Sequence, residues 1–283
     1  EVDTDTMYTI KDNSCIEHII PITTDNDGGF DTEETLFFEA CSPRKVGDTY
    51  YLIYSPKRGP RLAYATSDKP TGPFKYRGYI VDNGVDYPGG NDHGSIAQIN
   101  GQWYIFYHRM TNGTIMSRRA CVEKIEILPD GPPVEMTSLG FEDSLDPYRI
   151  TEAEIACVLK GGAFVTEHNK FERVVTGIKD GAVIGYKYYD FGLDNGNGRM
   201  YFSADITGLG ADCNVHIRID SEDGEEIGSF KVGHGNGVYK TEVKPVSDRH
   251  AVFLTVDTDY TGWTAAYFKE RPLFELKRFV FTK

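Results

Sequence analysis

The sequence predicts an all-β protein, and three observations favour this class. Strand-like runs are short and frequent, and 30 glycines and 13 prolines among 283 residues supply turns between them. Aromatic residues make up 13% of the chain, which suits packed sheets. No segment predicts a helix. The length is comfortable for two domains, each with its own core.

The charge of the chain narrows the classes of partner. Its net charge is −13, and no run of lysine or arginine extends beyond short pairs. A nucleic-acid groove needs a basic stripe, so a neutral sugar or a calcium ion is the more suitable ligand. No apolar run reaches the roughly 18 residues of a membrane span. No signal peptide is recognised either, so secreted, periplasmic and cytoplasmic locations all stay open.

Five cysteines are scattered along the chain, and no two of them form a CxxC pair. An odd, dispersed set argues against a disulfide framework and against a zinc site. We expect buried thiols instead.

A repeated pattern organises the first half. The segments "VGDTYYLIYS" (46–55) and "INGQWYIFYH" (99–108) align without a gap at an offset of 53 residues. Each is a polar turn followed by an aromatic, β-branched run, as in a propeller blade. The runs "LAYATS" and "YRGYIV" between the copies bring each unit to about four strands. A β-sandwich could also hold two such strands, so the repeat alone leaves both folds open.

The texture changes near residue 130, where a proline-containing stretch predicts a linker at 136–150. Strand patterns then return across 151–283, spaced by Gly, Asp and Asn turns. Six such runs predict a β-sandwich of jelly-roll size. They are "GAVIGYKYYDF", "GRMYFSADITG", "CNVHIRID", "IGSFKVG", "HAVFLTVD" and "FELKRFVFT".

Four motifs of residues 1–135 together resemble the C-terminal half of a glycoside hydrolase family 43 catalytic domain. They are "FFEACSPRK…YYLIYS", "YATSDKPTGPF", "NDHGSIAQINGQWYIFYHR" and "SRRACVE". The resemblance implies a five-bladed propeller, of which this chain would hold about two and a half blades. It also implies inverting hydrolysis of polysaccharides that contain arabinose or xylose. Residues 151–283 resemble, more loosely, a family 6 carbohydrate-binding module.

By this resemblance Glu39 falls on the general acid, which must carry a proton near neutral pH. The two phenylalanines of "FFE" would supply an apolar setting that suits a protonated carboxyl group. The local sequence alone allows another interpretation, in which Glu39 is a strand-edge residue paired with Arg44 or Lys45.

Further candidates follow from the same resemblance. His93 in "NDHGS" falls on a histidine near the propeller axis, which helps to hold an ion or water cluster under the sugar. Arg118 in "SRRACVE" matches an arginine that contacts the sugar, with Arg119 as the alternative. His108 and Arg109 follow a blade strand and are weaker candidates for the cleft.

Two catalytic carboxylates of the family have no counterpart. The family places its general base in the first blade and a second aspartate in the third, yet only 38 residues precede Glu39. Asp25, Asp27 and Asp31 lie there in a polar stretch without the family's motif. We therefore expect two partners, a plant cell-wall saccharide and an N-terminal propeller fragment or chain. A non-catalytic carbohydrate-binding protein with a degenerate propeller is the alternative.

Calcium is the expected cofactor, in the propeller channel beside His93 through water, in the sandwich, or in both. No organic cofactor is expected. Family 6 modules hold calcium near both chain ends, so Glu152 and Glu154 are candidate ligands. Lys277 stands where the family usually has an aspartate, with Glu275 nearby. Aromatic faces for sugar stacking, or for the core, are offered at the end of the module by Tyr260, Trp263 and Tyr267.

Overall fold

The computed structural model describes residues 1–24, 28–83, 92–110, 118–127, 144–193 and 198–283. By their contacts these residues form two compact units. The first contains residues 1–24, 28–83, 92–109 and 120–127; the second contains 110, 118–119, 144–193 and 198–283. In this described part no helix is long and apolar enough to cross a membrane. The predicted linker falls mostly on 128–143, outside the described residues, so its boundaries stay a prediction.

The first unit contains two antiparallel sheets. The four-stranded sheet has the order β1-β2-β3-β4, and the three-stranded sheet has the order β5-β6-β7. Each is therefore a meander, as the blade pattern predicted. The strands are β1 (Phe37–Val46), β2 (Thr49–Pro56), β3 (Arg61–Ser67), β4 (Lys75–Asp82), β5 (Ser95–Ile99), β6 (Gln102–Met110) and β7 (Arg118–Ile125).

The two repeat segments form equivalent hairpins. Val46 pairs with Thr49 across the β1–β2 turn, and Ile99 pairs with Gln102 across the β5–β6 turn. Asn100 and Gly101 both have positive φ, 50° and 86°, as a two-residue type I′ turn requires. The offset of 53 residues is thus the repeat of one strand–turn–strand unit.

Both faces of the four-stranded sheet are packed. Tyr51 and Ile53 point to one face, where they share a core with Ile96 and Ile105 of the three-stranded sheet. Alternate residues of β2, including Leu52, point to the opposite face and pack against the segment before β1. Burial on both sides explains why β2 is apolar almost throughout rather than alternating.

The second unit is a sandwich of two antiparallel sheets. One sheet has the order β10-β11-β18-β13-β16, with β8 also paired to β18, and the other has the order β15-β14-β17-β12-β9. Most consecutive strands alternate between the sheets, which is a jelly-roll arrangement. The elements are β8 (Thr151–Glu152), a 3₁₀ turn (Ala153–Ile155), β9 (Val158–Lys160), β10 (Phe164–Glu167), β11 (Arg173–Ile178), β12 (Val183–Asp190), β13 (Met200–Gly208), β14 (Cys213–Ile219), β15 (Glu226–Val232), β16 (Asn236–Val243), β17 (Arg249–Asp257), α1 (Gly262–Phe268) and β18 (Phe274–Thr282).

Aromatic rings hold the sandwich together. The ring centroid of Phe279 lies 4.8 Å from that of Tyr186 and 5.3 Å from that of Phe202, which joins strands of both sheets. Phe281 contacts Phe191 in the same way, at 5.2 Å. Aromatic pairs of this kind contribute roughly 0.5–1.5 kcal/mol each beyond their buried area.

One helix contradicts the expectation that the chain has none. Helix α1 contains seven residues in the segment "DTDYTGWTAAYF", which the sequence predicts as loop. It was missed because it is barely two turns long, too short to show a helical period. Thr261, at its N-cap, makes no side-chain capping bond.

The five cysteines form no disulfide, but the expectation that they are all buried is wrong for two of them. Cys15 and Cys41 are exposed, whereas Cys157 and Cys213 are buried. Burial raises the pKa of the Cys121 thiol to about 11 and that of Cys213 to about 12.

We expect only Cys15 and Cys41 to react rapidly with a thiol reagent such as DTNB at pH 8. The other three thiols are shielded or remain protonated, and thiolate is the reactive form. Rapid-mixing absorbance should show two fast equivalents in the native protein, and a Cys15→Ser/Cys41→Ser variant should lose them. A third fast thiol in the native protein would contradict this distribution of burial.

Candidate active site

Glu39 lies at an irregularity in β1. The pairing of β1 with β2 shifts register on both sides of it, between Phe37 and Glu39 and between Glu39 and Ser42. Ala40, the next residue, has a φ of 59°, which is rare for a residue with a side chain. Such a bulge turns a side chain out of the regular alternation of a strand. Strained backbone of this kind concentrates at functional sites.

The apolar wall expected around Glu39 is only partly present. Phe37 packs toward Tyr54, at 6.0 Å between ring centroids, but Phe38 is 56% exposed. The Glu39 side chain itself is 38% exposed. The apolar setting expected around Glu39 is therefore incomplete, because Phe38 is exposed and Glu39 itself is only partly buried.

The alternative pairing of Glu39 with its sequence neighbours is not the arrangement found. Arg44 donates from Nε to the Ile96 carbonyl at 3.0 Å and from Nη2 to Ser95 Oγ at 2.8 Å. Lys45 places its ammonium over the Tyr50 ring. Arg44 thus joins β1 to β5 rather than neutralising Glu39.

His93 lies within hydrogen-bond distance of Glu39. Its Nε2 lies 3.1 Å from Glu39 Oε1, although the two residues are 54 positions apart. Gly94 makes this approach possible, because a Cβ there would lie 2.5 Å from both Leu62 Cδ1 and the Phe106 carbonyl oxygen. The chain therefore needs glycine directly after His93 for the backbone to approach Leu62 and Phe106 so closely.

A buried polar network lies behind His93. Asp92 is 0% exposed; one carboxylate oxygen accepts from Asn83 Nδ2 at 2.8 Å and the other from the His108 amide at 3.3 Å. Asn83 Nδ2 also donates to the His108 carbonyl at 2.8 Å. The His93 amide donates to His108 Nδ1 at 3.3 Å, and the two rings meet edge to face at 5.5 Å. The network fixes the backbone that carries His93.

Sequence reasoning missed Asp92 and Asn83. Asp92 directly precedes His93 in "NDHGS", so its position was visible, but its burial was not. Asn83 follows β4 and meets Asp92 only through the fold. The structure thus brings Glu39, His93 and His108 together, with His108 mainly as part of the support.

The arginines are placed differently. Arg109 is buried at the end of β6. Arg118 begins β7 with an exposed side chain and groups with the second unit, as does Arg119. Within that unit Arg119 lies 2.8 Å from Glu167 Oε1 and donates to the Val165 carbonyl. The sugar-contact role of Arg118 stays a prediction, whereas the Arg119 guanidinium is held by Glu167.

The expected second carboxylate is not identified. Asp25 and Asp27 lie outside the described residues, and Asp31 is exposed in the segment before β1. Among the residues that the structure describes, no group of three or more His, Cys, Asp or Glu side chains could hold a metal ion. Calcium beside His93 therefore stays a prediction.

The aromatic candidates of the sandwich lie around α1. Trp263 is 79% exposed and Tyr267 is also exposed, so the interpretation of both as core residues is wrong. Tyr260 stacks on Phe268 at 4.3 Å between centroids, and its hydroxyl accepts from the Asp212 amide. Their role in sugar stacking stays a prediction.

Comparisons with known proteins give the context of this site. No family model matches the chain. A xylosidase/arabinosidase of Thermoclostridium stercorarium is 44% identical over an alignment of 221 residues, and the match covers 65% of this chain and 46% of that protein. A solved glycoside hydrolase family 43 arabinoxylan arabinofuranohydrolase from Bacillus subtilis, in complex with cellotetraose, aligns with a TM-score of 0.52 and 25% identity. The alignment covers 87% of this chain and 54% of that one.

The resemblance to glycoside hydrolase family 43 is confirmed. The solved neighbours also include a family 6 carbohydrate-binding module of Clostridium cellulolyticum in complex with xylose, at a TM-score of 0.41 and 24% identity over 49% of this chain and 100% of the module. The strand order of the second unit confirms the β-sandwich of jelly-roll type that its strand pattern predicts. The chain spans about half the length of the curated relatives it matches.

We expect Asn83→Leu to lower the unfolding free energy of the first unit by about 2–3 kcal/mol, because it removes the 2.8 Å hydrogen bond that the buried Asp92 carboxylate accepts from Asn83 Nδ2. Denaturant unfolding followed by tyrosine fluorescence measures the change. Gln98→Ala is the matched control, since its amide makes one exposed bond to the Gly101 carbonyl, and should cost under about 0.5 kcal/mol. Equal losses in the two variants would show that the network carries no special stability.

Proposed function

We propose that this chain carries the general acid of an inverting family 43 glycosidase and that Glu39 is that acid. The observation that carries the proposal is the pair of Glu39 and His93, in which a carboxyl group at a strained bulge lies 3.1 Å from an imidazole nitrogen. The pair is more than a third exposed, so a substrate can reach it. The names of the relatives support a glycosidase rather than another enzyme class.

Glu39 would act by giving its proton to the glycosidic oxygen as the bond to the anomeric carbon breaks. A neutral His93 with its hydrogen on Nε2 would donate to Oε1, which leaves Oε2 to carry the proton toward the leaving group. Asp92, Asn83 and His108 would hold His93 in place. General acid catalysis of this kind contributes roughly 10²–10⁴-fold to the rate.

A base on the opposite side of the sugar completes an inverting mechanism. It takes a proton from the attacking water while Glu39 protonates the departing oxygen, so the two protons balance. The two carboxyl groups of such enzymes are about 6.5–9.5 Å apart, which leaves room for the water. We assign this base to a further part of the propeller.

The substrate class follows from the relatives. We propose arabinofuranosyl or xylosyl units of hemicellulose, such as arabinoxylan, xylan or arabinan. The names of the T. stercorarium and B. subtilis proteins support both sugars. The net charge of −13 suits a neutral polysaccharide better than a polyanion.

The further propeller sheets would pack on the apolar surface before β1. A groove of about 610 Å³ lies between this segment and the four-stranded sheet, and Ile16, Ile22 and Phe37 are among its lining residues. Six exposed large apolar residues fall within the first 22 positions, at Val2, Met7, Tyr8, Ile10, Ile16 and Ile22. A concentration of this kind marks an interaction surface. The sheets could belong to the same polypeptide or to a second one.

Glu39→Gln should lower the turnover of arabinoxylan by the complete propeller about 10³-fold, because glutamine has no acidic proton to give. A p-nitrophenyl glycoside should lose much less, since its leaving group needs little protonation. Glu33→Gln is the matched control; Glu33 pairs with Arg58 on the exposed surface, and its loss should leave both rates unchanged. Reducing-sugar and absorbance assays give the two rates. An equal loss on both substrates, or none, would remove Glu39 from the acid role.

We expect the chain of 283 residues alone to hydrolyse neither p-nitrophenyl arabinofuranoside nor xyloside. The T. stercorarium relative contains a part that does not align with this chain. Adding that part as a separate polypeptide should restore turnover, because we expect it to carry the general base. Ile22→Asp in the groove should weaken the complex, whereas Ile99→Asp on the β5–β6 hairpin should not. Turnover by the chain alone that Glu39→Gln abolishes would show that the base is already present.

A further inference from the structure

Four carboxylates lie on one side of the sandwich around Arg278. The Arg278 guanidinium lies 2.9 Å from Glu172 Oε1, 3.7 Å from Glu152 Oε1 and 3.8 Å from Asp205 Oδ2. Glu154, the fourth, follows in the 3₁₀ turn after β8. One of its carboxylate oxygens is buried and makes no hydrogen bond within the described residues.

The sheet itself fixes this arrangement. Arg278 of β18 stands directly opposite Glu152 of β8 on one side and directly opposite Asp205 of β13 on the other. Residues directly opposite each other in neighbouring antiparallel strands have their Cβ atoms about 4.5–5.5 Å apart on the same face of the sheet. Three charges therefore stand in a row across three strands, and the middle one is positive. Glu172 reaches the same guanidinium from the turn before β11.

This is the region where the family 6 resemblance places calcium, and the residues do not fit that ion. Calcium takes about 6–8 oxygen ligands at about 2.3–2.6 Å, drawn largely from carboxylates. Here Glu152, one of the two candidate ligands, faces a guanidinium that cannot lose its proton. Lys277, where the family usually has an aspartate, adds a second cation to the same strand. A divalent ion among these groups would be repelled at close range.

Positive charge is supplied to the cluster by side chains instead. The hydrogen bond with Asn169 is the main cause that lowers the pKa of the Glu172 carboxyl group, and the positive charge of Arg278 lowers it further. Burial, the largest effect, and the negative charge of Glu152 raise the pKa of the Glu154 carboxyl group. The positive charges of Arg173 and Arg278 oppose this rise. Guanidinium suits this task because its planar fork of N–H groups can serve several carboxylates at once.

We propose that Arg278 takes the place of calcium in this sandwich. The module then does not depend on calcium. Arg278 of the central strand β18, the last strand of the chain, supplies the positive charge that faces Glu152 of β8, the first strand of the sandwich. The proposal concerns the fold of the second unit and stands or falls separately from the catalytic role of Glu39.

The first test is calcium titration of the whole chain after treatment with EGTA, by isothermal calorimetry and thermal melting. We expect millimolar CaCl₂ to shift the melting temperature of the sandwich by less than about 1 °C, because no ion binds there. Saturable calcium binding that Glu154→Gln abolishes would overturn the proposal. The same holds for binding that Glu152→Gln abolishes, whereas binding that survives both variants lies elsewhere in the chain and supports the proposal.

The second test removes the arginine. Arg278→Met keeps the length of the side chain, leaves the facing carboxylates without their shared cation, and should lower the melting temperature of the sandwich by about 5 °C. Arg199→Met is the control, because Arg199 directly precedes β13 and its exposed side chain pairs with Glu242 at 3.7 Å. It should shift the melting temperature by less than about 2 °C. Equal shifts in the two variants would overturn the proposal, and if Arg278→Met fails to fold, the calcium titration of the unmodified chain still decides.

Discussion

The connection between β1 and β5 is the constraint on which the candidate site depends. Arg44 and Ser42 of β1 both donate a hydrogen bond to Ser95 at the start of β5. These bonds join the first strands of the two sheets of the first unit. The β1–β2 pairing shifts register on both sides of Glu39, and this bulge turns the Glu39 side chain outward. His93, two residues before Ser95, meets it there. Acid and imidazole are therefore placed by the packing of the sheets, and neither needs a long loop to reach the other.

Much of the first unit could be predicted because its cues are local. A polar turn followed by an aromatic run predicts a hairpin from local sequence alone, and the Asn100–Gly101 pair also predicts the turn type. The bulge could not be predicted, because alanine at position 40 carries no preference for positive φ. The contact of Glu39 with His93 depends on how two sheets stack, and residue types 54 positions apart give no sign of it.

The sandwich shows the same division. Six of its strands, β12 to β15, β17 and β18, were predicted from alternation and turn residues. Strand β16, of eight residues, was not among the predicted runs, and the shortest strands, such as β8 and β9, are too brief to give a pattern. The row of Glu152, Arg278 and Asp205 exists only because β8 and β13 flank β18 in one register. A shift of one residue in either pairing would turn a charge to the other face. The residue types alone give no sign that Arg278 stands between Glu152 and Asp205, because that arrangement depends on the register of the strands.

The repeat of 53 residues has a consequence for the two acids of the first unit. Adding 53 to the position of Glu39 gives Asp92, so both carboxylates occupy the same place in successive copies of one motif, as Ser42 and Ser95 also do. One copy presents its acid to solvent, and the other encloses its acid with Asn83 and the His108 amide. The two copies of the motif therefore use their acids differently. Asp92 is buried and fixes the backbone that carries His93, and His93 contacts the exposed Glu39.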